Sequence, residues 1–150
     1  MTDAAYPSIH ACCVAIGTAG VLIRGPSGSG KSTLALQLIL DAPRSLPPAE
    51  LVADDRVLLH RDGAALIARA PERLAGLMEV RGLGVRRFPF RPQVPLTHVV
   101  DLGREGPRLP EAEEAYVMLE GVTLRHIVSV TPERARLLLA TLLATADYDE

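Results

Sequence analysis

Gly25-Pro26-Ser27-Gly28-Ser29-Gly30-Lys31-Ser32 fits the spacing Gly-x-x-x-x-Gly-Lys-Ser/Thr, whose chemistry is phosphate binding. In such a loop successive backbone N–H groups cradle the phosphates, the lysine reaches the outer ones, and the serine hydroxyl binds Mg²⁺. Lys31 is the one lysine of the sequence, and every other permanently charged cation is an arginine. The flanks supply the context that the motif requires. Val21-Leu22-Ile23 is apolar and strand-like, while Ser32 to Leu40 has helical composition. A helix starting at the loop adds the positive end of its dipole to the anion cradle. The motif implies a nucleoside triphosphate site.

Three further groups of residues have types suited to phosphoryl chemistry. Asp54 and Asp55 end an apolar stretch and lie twenty-two and twenty-three residues beyond Ser32. Acids at a strand tip can face the phosphates and hold Mg²⁺, directly or through water. Two together allow one to serve the metal and the other to take a proton from an attacking hydroxyl. Glu79 and Arg81 are two apart, so on a strand they share a face and could set a metal ligand beside a phosphate clamp. From spacing alone, a surface salt bridge is the simpler reading of that pair. His10 opens a strand-like segment, where a lone histidine reads as structural, and Arg108 is a loop arginine with no local distinction.

The elements that must position these groups follow from punctuation and periodicity. Ile9 to Ile16 reads as a strand, and Gly17-Thr18-Ala19-Gly20 turns it into the strand before the phosphate loop, making an antiparallel hairpin. The helix after Lys31 should end near Asp41, because Pro43, Pro47 and Pro48 follow. Leu51-Val52-Ala53 is a short buried strand. Val57–His60 and Ala64–Ala68 flank Arg61-Asp62-Gly63, whose Asp-Gly pair signals a second hairpin. Pro71 opens a turn, and Leu77–Val80 reads as a strand. Residues 82–96, rich in Gly, Pro and Arg, read as a surface loop. Thr97–Leu102 and Leu124–Val130 complete the strands, and Thr131-Pro132-Glu133 starts the last helix with a hydroxyl cap and a proline in the first turn. Strands do not alternate regularly with helices, so an all-parallel, doubly wound sheet is excluded.

Composition bounds the rest. The sequence has 150 residues, room for a single domain over 1–150. Apolar residues make up 48% and aromatics 3%, so the core must be aliphatic. A net charge of −2 gives no general attraction to nucleic acid or to an anionic membrane. Arg81, Arg86, Arg87 and Arg91 nonetheless cluster beside Glu79. Cys12 and Cys13 are adjacent, cannot form a disulfide framework, and in a strand would face opposite sides as small buried hydrophobes. The amino-terminal residues lack the features of a signal peptide, and Leu137–Ala144 is too short to span a bilayer. A reducing, cytoplasmic setting is expected.

In this order the pieces resemble the catalytic domain of the HPr kinase/phosphorylases. That family places a histidine fifteen residues before the first loop glycine, as His10 stands before Gly25. Its Gly-x-Ser-Gly-x-Gly-Lys-Ser is similar to residues 25–32, and its Ala-Asp-Asp-Arg-Val to Ala53-Asp54-Asp55-Arg56-Val57. Its Glu-Ile/Val-Arg-Gly-Leu-Gly corresponds to residues 79–84, and an Arg-Leu-Gly/Pro segment to Arg108-Leu109-Pro110. The resemblance runs from His10 to Pro110. It implies an α/β P-loop kinase domain of the HPr kinase/phosphoenolpyruvate carboxykinase-like type, with a mixed sheet and hairpins flanking the P-loop.

The same resemblance implies that residues 25–32, with Lys31, hold ATP, and that Ser32 and Glu79 hold Mg²⁺. Asp55 would take the proton of an acceptor serine and return it in dephosphorylation, with His10 and Arg108 completing the site. The implied partner is HPr or a related phosphocarrier, and the implied assembly is a homo-oligomer, commonly a hexamer. Three departures stand out. The chain looks like a short, single-domain form. Arg86-Arg87-Phe88-Pro89-Phe90-Arg91 replaces a Gly-Ala-Gly-rich stretch. The segment Pro-x-Arg-Pro-Gly-Arg-Asn, associated with dephosphorylation, has no counterpart near Leu124–Arg136. The kinase direction is therefore favoured over the phosphorylase direction. A small-molecule P-loop kinase and a non-catalytic nucleotide sensor are the alternative readings.

Overall fold

A computed structural model of the chain describes residues 6–148. The reading of the amino terminus against a signal peptide falls largely on residues 1–5, outside the described residues. The described strands are β1 (Ser8–Ile9), β2 (Cys12–Ile16), β3 (Ala19–Arg24), β4 (Ala49–Ala53), β5 (Val57–Asp62), β6 (Ala65–Arg69), β7 (Leu77–Val80), β8 (Gly84–Arg87), β9 (Gln93–Leu102), β10 (Tyr116–Leu119) and β11 (Val122–Ser129). The helices are α1 (Lys31–Leu40) and α2 (Pro132–Ala144), with 3₁₀ turns at Glu72–Leu74 and Ala112–Glu114.

The fold is α/β around a mixed, curled sheet. β9 is its junction. Its first residues pair antiparallel with β6, while residues 96–101 run parallel to β3 and residues 98–102 parallel to β11. From β9 the order continues through β3 to β2 and β4, and through β6 to β5 and β1. The hairpin β2–β3 leads directly into the P-loop, and β5–β6 is the second hairpin expected from sequence. Its turn uses Gly63 and Ala64, one residue later than the Asp-Gly signal.

Both faces of the central strands are buried, and the alternation of β2 shows how. Cys12, Val14 and Ile16 face α1 and α2, packing with Leu34, Leu38, Ala135 and Leu139. Cys13 and Ala15 face the other way, into a core shared with Leu59, Leu66 and Val94. A strand buried on both sides reads as a continuous apolar run, which is why Cys12–Ile16 contains no polar residue.

Two stretches depart from the sequence reading. Residues 82–96 are not a loop: β8 pairs with β7, and β9 begins at Gln93. Gly84-Val85-Arg86-Arg87 is exposed throughout, so no hydrophobic period marks it as a strand. β10, also absent from the sequence reading, pairs with β11 across a tight turn in which Glu120 and Gly121 both have positive φ. No helix among the described residues is long and apolar enough to cross a membrane.

Candidate active site

The P-loop connects the carboxyl end of β3 to α1, so the loop and the first turn of α1 adjoin each other. Gly30 precedes α1 at φ 100°. A Cβ there would lie 2.5 Å from Pro132 Cγ, so only glycine lets the loop pack against the start of α2. Gly28 has φ 83° and nothing near its missing Cβ, leaving the loop crest open to a ligand. Lys31 is buried, and its Nζ donates to Gly25 O at 2.8 Å and Pro26 O at 3.3 Å. The ammonium is thus held over the cradle by its own rim. Ser29 Oγ is buried without a hydrogen-bond partner. Such a group costs free energy unless a ligand reaches it, so the loop fits a polyphosphate.

Asp54 and Asp55 follow β4, and the backbone separates their directions. Arg56 N donates to Asp54 O at 2.7 Å and Asp55 has φ 67°, a γ-turn of the strained, positive-φ kind. Asp54 Oδ1 accepts from Ser32 Oγ at 3.1 Å and from Cys12 Sγ at 2.9 Å, and its Oδ2 accepts from Glu79 N at 3.3 Å. Asp55 turns outward, 73% exposed, and pairs with His10 Nε2 at 2.6 Å. Burial first, and then the Asp54 charge beside it, push the Cys12 thiol up to about 12. It is therefore a proton donor to Asp54 and not a thiolate.

A cavity of about 720 Å³ collects these groups. It is lined by P-loop residues including Gly28, Lys31 and Ser32, by His10, Asp54 and Asp55, and by Glu79 and Arg81 of the β7–β8 hairpin. Glu79 lies on β7, but Arg81 stands in the hairpin turn, and no ion pair joins them. Oxygen groups of Ser32, Asp54 and Glu79 suit Mg²⁺, which keeps waters and substrate phosphates and needs only one or two carboxylates. No cluster of three or more His, Cys, Asp or Glu side chains that could hold a metal ion occurs among the described residues.

Of the candidate residues, Gly25, Pro26 and Ser29 of the P-loop do not line this cavity, and Arg108 lies outside it altogether. It lines a neighbouring one, between the loop after β9 and the start of α2. Two other features were not read from sequence. Cys12 was legible as buried but not as a donor to Asp54, because β2 and β4 are brought together only by the sheet. The second is a cluster around Asp101 at the tip of β9. Arg24, the last residue before the P-loop, donates to both Asp101 oxygens at 2.8 Å, and His126 Nε2 lies 2.6 Å from Oδ2. Burial works to raise the Asp101 pKa, but the hydrogen bonds from Arg24 and His126 outweigh it and hold the pKa below the usual value. In the parallel strand beside a P-loop strand, an acid at this position could serve Mg²⁺; here its oxygens are committed to Arg24 and His126.

Over residues 3–88, more than half of its length, the chain matches the family described as HPr Serine kinase C-terminal domain. The HPr kinase/phosphorylase of Limosilactobacillus reuteri (strain DSM 20016) is 46% identical over 79 residues, covering 52% of this chain and 23% of that protein. The HPr kinase/phosphorylase of Bacillus subtilis (strain 168) is 34% identical over 140 residues, covering 85% of this chain and 43% of that protein. The chain therefore spans less than half the length of these curated relatives. Among solved structures, the Hpr(Ser) kinase/phosphatase from Coxiella burnetii is similar with a TM-score of 0.72 at 25% identity, covering 91% of this chain and 93% of that one.

Proposed function

The chain belongs to the HPr Serine kinase C-terminal domain family, and from that premise we propose that it transfers a phosphoryl group from Mg²⁺-ATP to a serine of HPr or a related phosphocarrier. The observation that carries this reading is the convergence on one cavity of the P-loop, Lys31, Ser32, Asp54, Glu79 and the His10–Asp55 pair. When bound, Mg²⁺ supplies neutralisation of charge on the phosphates, held by Ser32 and Glu79 with Asp54 beside them. Lys31 binds the outer phosphates through the ammonium now resting on Gly25 O and Pro26 O. Asp55 accepts the serine proton, and its exposure lets a protein substrate approach it. His10 holds that carboxylate in one orientation and screens part of its charge.

Incubation with HPr and Mg²⁺-ATP, followed by intact-mass measurement, should show the gain of one phosphoryl group on HPr. A gain on small-molecule acceptors alone, or none, would overturn the reading. Lys31→Ala should remove ATP-dependent thermal stabilisation, which for the parent protein is about 2.7 kcal/mol at ligand a hundredfold above Kd. By the same family premise the protein is cytoplasmic and homo-oligomeric. Exposed aliphatic residues such as Leu83 at 74% and Leu109 at 80% are consistent with subunit contacts, and light scattering tests the assembly.

A further inference from the structure

The transfer site leaves one group of charges unused. Of the four arginines clustered beside Glu79 in the sequence, Arg91 is bound to Glu50 at 2.6 Å. Arg81, Arg86 and Arg87 form no ion pair among the described residues. All three belong to the β7–β8 hairpin, which is a two-stranded sheet of its own. Its root is fixed. Met78 is buried in the core beneath the helices, Val80 and Phe88 pack beside it, and Phe88 N donates to Gly76 O at 2.7 Å. Its turn is clear of the rest of the protein, for a Cβ on Gly82 or Gly84 would meet nothing within 4 Å. β8 is exposed along its whole length. Unpaired cations on a moored, projecting element are open to another molecule.

The register decides which of these side chains share a surface. Leu77 pairs with Arg87, Met78 with Arg86, and Glu79 with Val85. Directly opposed residues lie on one face, and faces alternate along each strand. Glu79, Val85, Leu77 and Arg87 therefore share a face, while Arg86 lies on the opposite one with the buried Met78. Glu79 and Val85 line the transfer cavity, and so does Arg81 in the turn, but Arg87 does not. Arg87 thus continues the Glu79–Val85 face beyond the cavity rim. Val85, between the two arginines, is 64% exposed.

Arginine beside an exposed apolar side chain is the composition of protein–protein contact surfaces. Nucleic acid and anionic membrane fit poorly, because Glu79 lies on the same face, Asp54 and Asp55 line the adjoining cavity, and the net charge of the chain is −2. We infer that this face of the β7–β8 hairpin docks the acceptor protein. Arg81 and Arg87 meet carboxylates beside its target serine, and Val85 meets an apolar side chain between them. The inference rests on the reading of the chain as a serine kinase with a protein substrate. To that reading it adds the surface that recognises the acceptor and the acidic character of the patch it recognises.

Steady-state phosphorylation of HPr, with Mg²⁺-ATP affinity measured separately by calorimetry, distinguishes docking from transfer. Arg87→Glu should raise the KM for HPr by about tenfold and leave kcat and ATP affinity unchanged, because a rim charge acts on encounter and register. Arg86→Glu makes the same change of charge on the opposite face and should raise KM by about twofold or less. The parent KM should rise with ionic strength, and Arg87→Glu should remove most of that dependence. Retained ATP affinity shows that both variants are folded. An unchanged KM in Arg87→Glu, or equal rises in the two variants, would overturn the inference while leaving the kinase reading standing. A change of assembly in Arg87→Glu, seen by light scattering, would give the face to a second copy of this chain and overturn it as well. A parent protein that binds ATP but transfers nothing to HPr would overturn the kinase reading, and the docking surface with it.

Discussion

Adjacent aspartates with identical chemistry can be given different tasks only if the backbone turns them apart, and the positive φ of Asp55 does this. Asp54 is tied inward to Ser32, Cys12 and Glu79 N, whereas the exposed side chain of Asp55 pairs with His10. Asp55→Asn keeps the size and loses the ability to take a proton. Single-turnover phosphorylation should then fall by roughly 10²–10⁴ with ATP affinity unchanged. Loss of ATP binding in that variant would move Asp55 to the metal. The P-loop and the aspartate pair were readable as local motifs, whereas Glu79 was singled out only by the family resemblance, spacing alone favouring a surface salt bridge with Arg81. Arg24 and Asp101 were not, because seventy-seven residues separate them and only the parallel pairing of β3 with β9 sets them side by side. His10 read as structural from its own surroundings and entered only through the family resemblance, and its partner Asp55 was visible only in the fold.

At the scale of elements, the P-loop is clamped between two neighbours. Its root is fixed by the Arg24–Asp101–His126 cluster, which joins β3, β9 and β11, and its end by the contact of Gly30 with Pro132. Asp101→Ala leaves Arg24 without its partly buried partner and should destabilise the fold by about 3 kcal/mol. At this chain length that is a drop in Tm of roughly 10 °C by calorimetry. Gly28→Ala meets only an unfavourable φ and should cost about 1 kcal/mol, whereas Gly30→Ala adds overlap with Pro132 and should cost clearly more. Equal melting temperatures for the two variants would contradict the clamp. The hairpin β2–β3, α1 and the capped start of α2 were legible because apolar period, glycine turns and the Thr131 cap agreed with one another. Arg134 N does donate to Thr131 Oγ1, at 3.2 Å. β8 and β10 were not legible, since strands with little buried surface carry no hydrophobic alternation to read.

For the whole molecule, the two cores meet along β2, whose neighbouring thiols face opposite sides. Burial raises the pKa of both, Cys12 from 9.0 up to about 12 and Cys13 further still. Unfolded chains release these protons above pH 9 while the folded protein retains them. The stabilisation is thus complete below pH 9 and is lost as pH climbs toward the folded values. Denaturant midpoints should fall between pH 9 and 11, and replacing both cysteines by alanine should flatten that slope. A final consequence belongs to the phosphate loop as seen by a reagent. The sequence carries one side-chain amine, and it is folded over the loop that would hold the nucleotide. An acylating label read at side-chain amines therefore becomes a footprint of that loop, with no background from other lysines. Peptide mapping after brief acetic anhydride treatment should show slow modification of Lys31 and near-complete protection by Mg²⁺-ATP. Because acetylation abolishes the charge, one covalent event at that nitrogen would silence nucleotide binding throughout the protein.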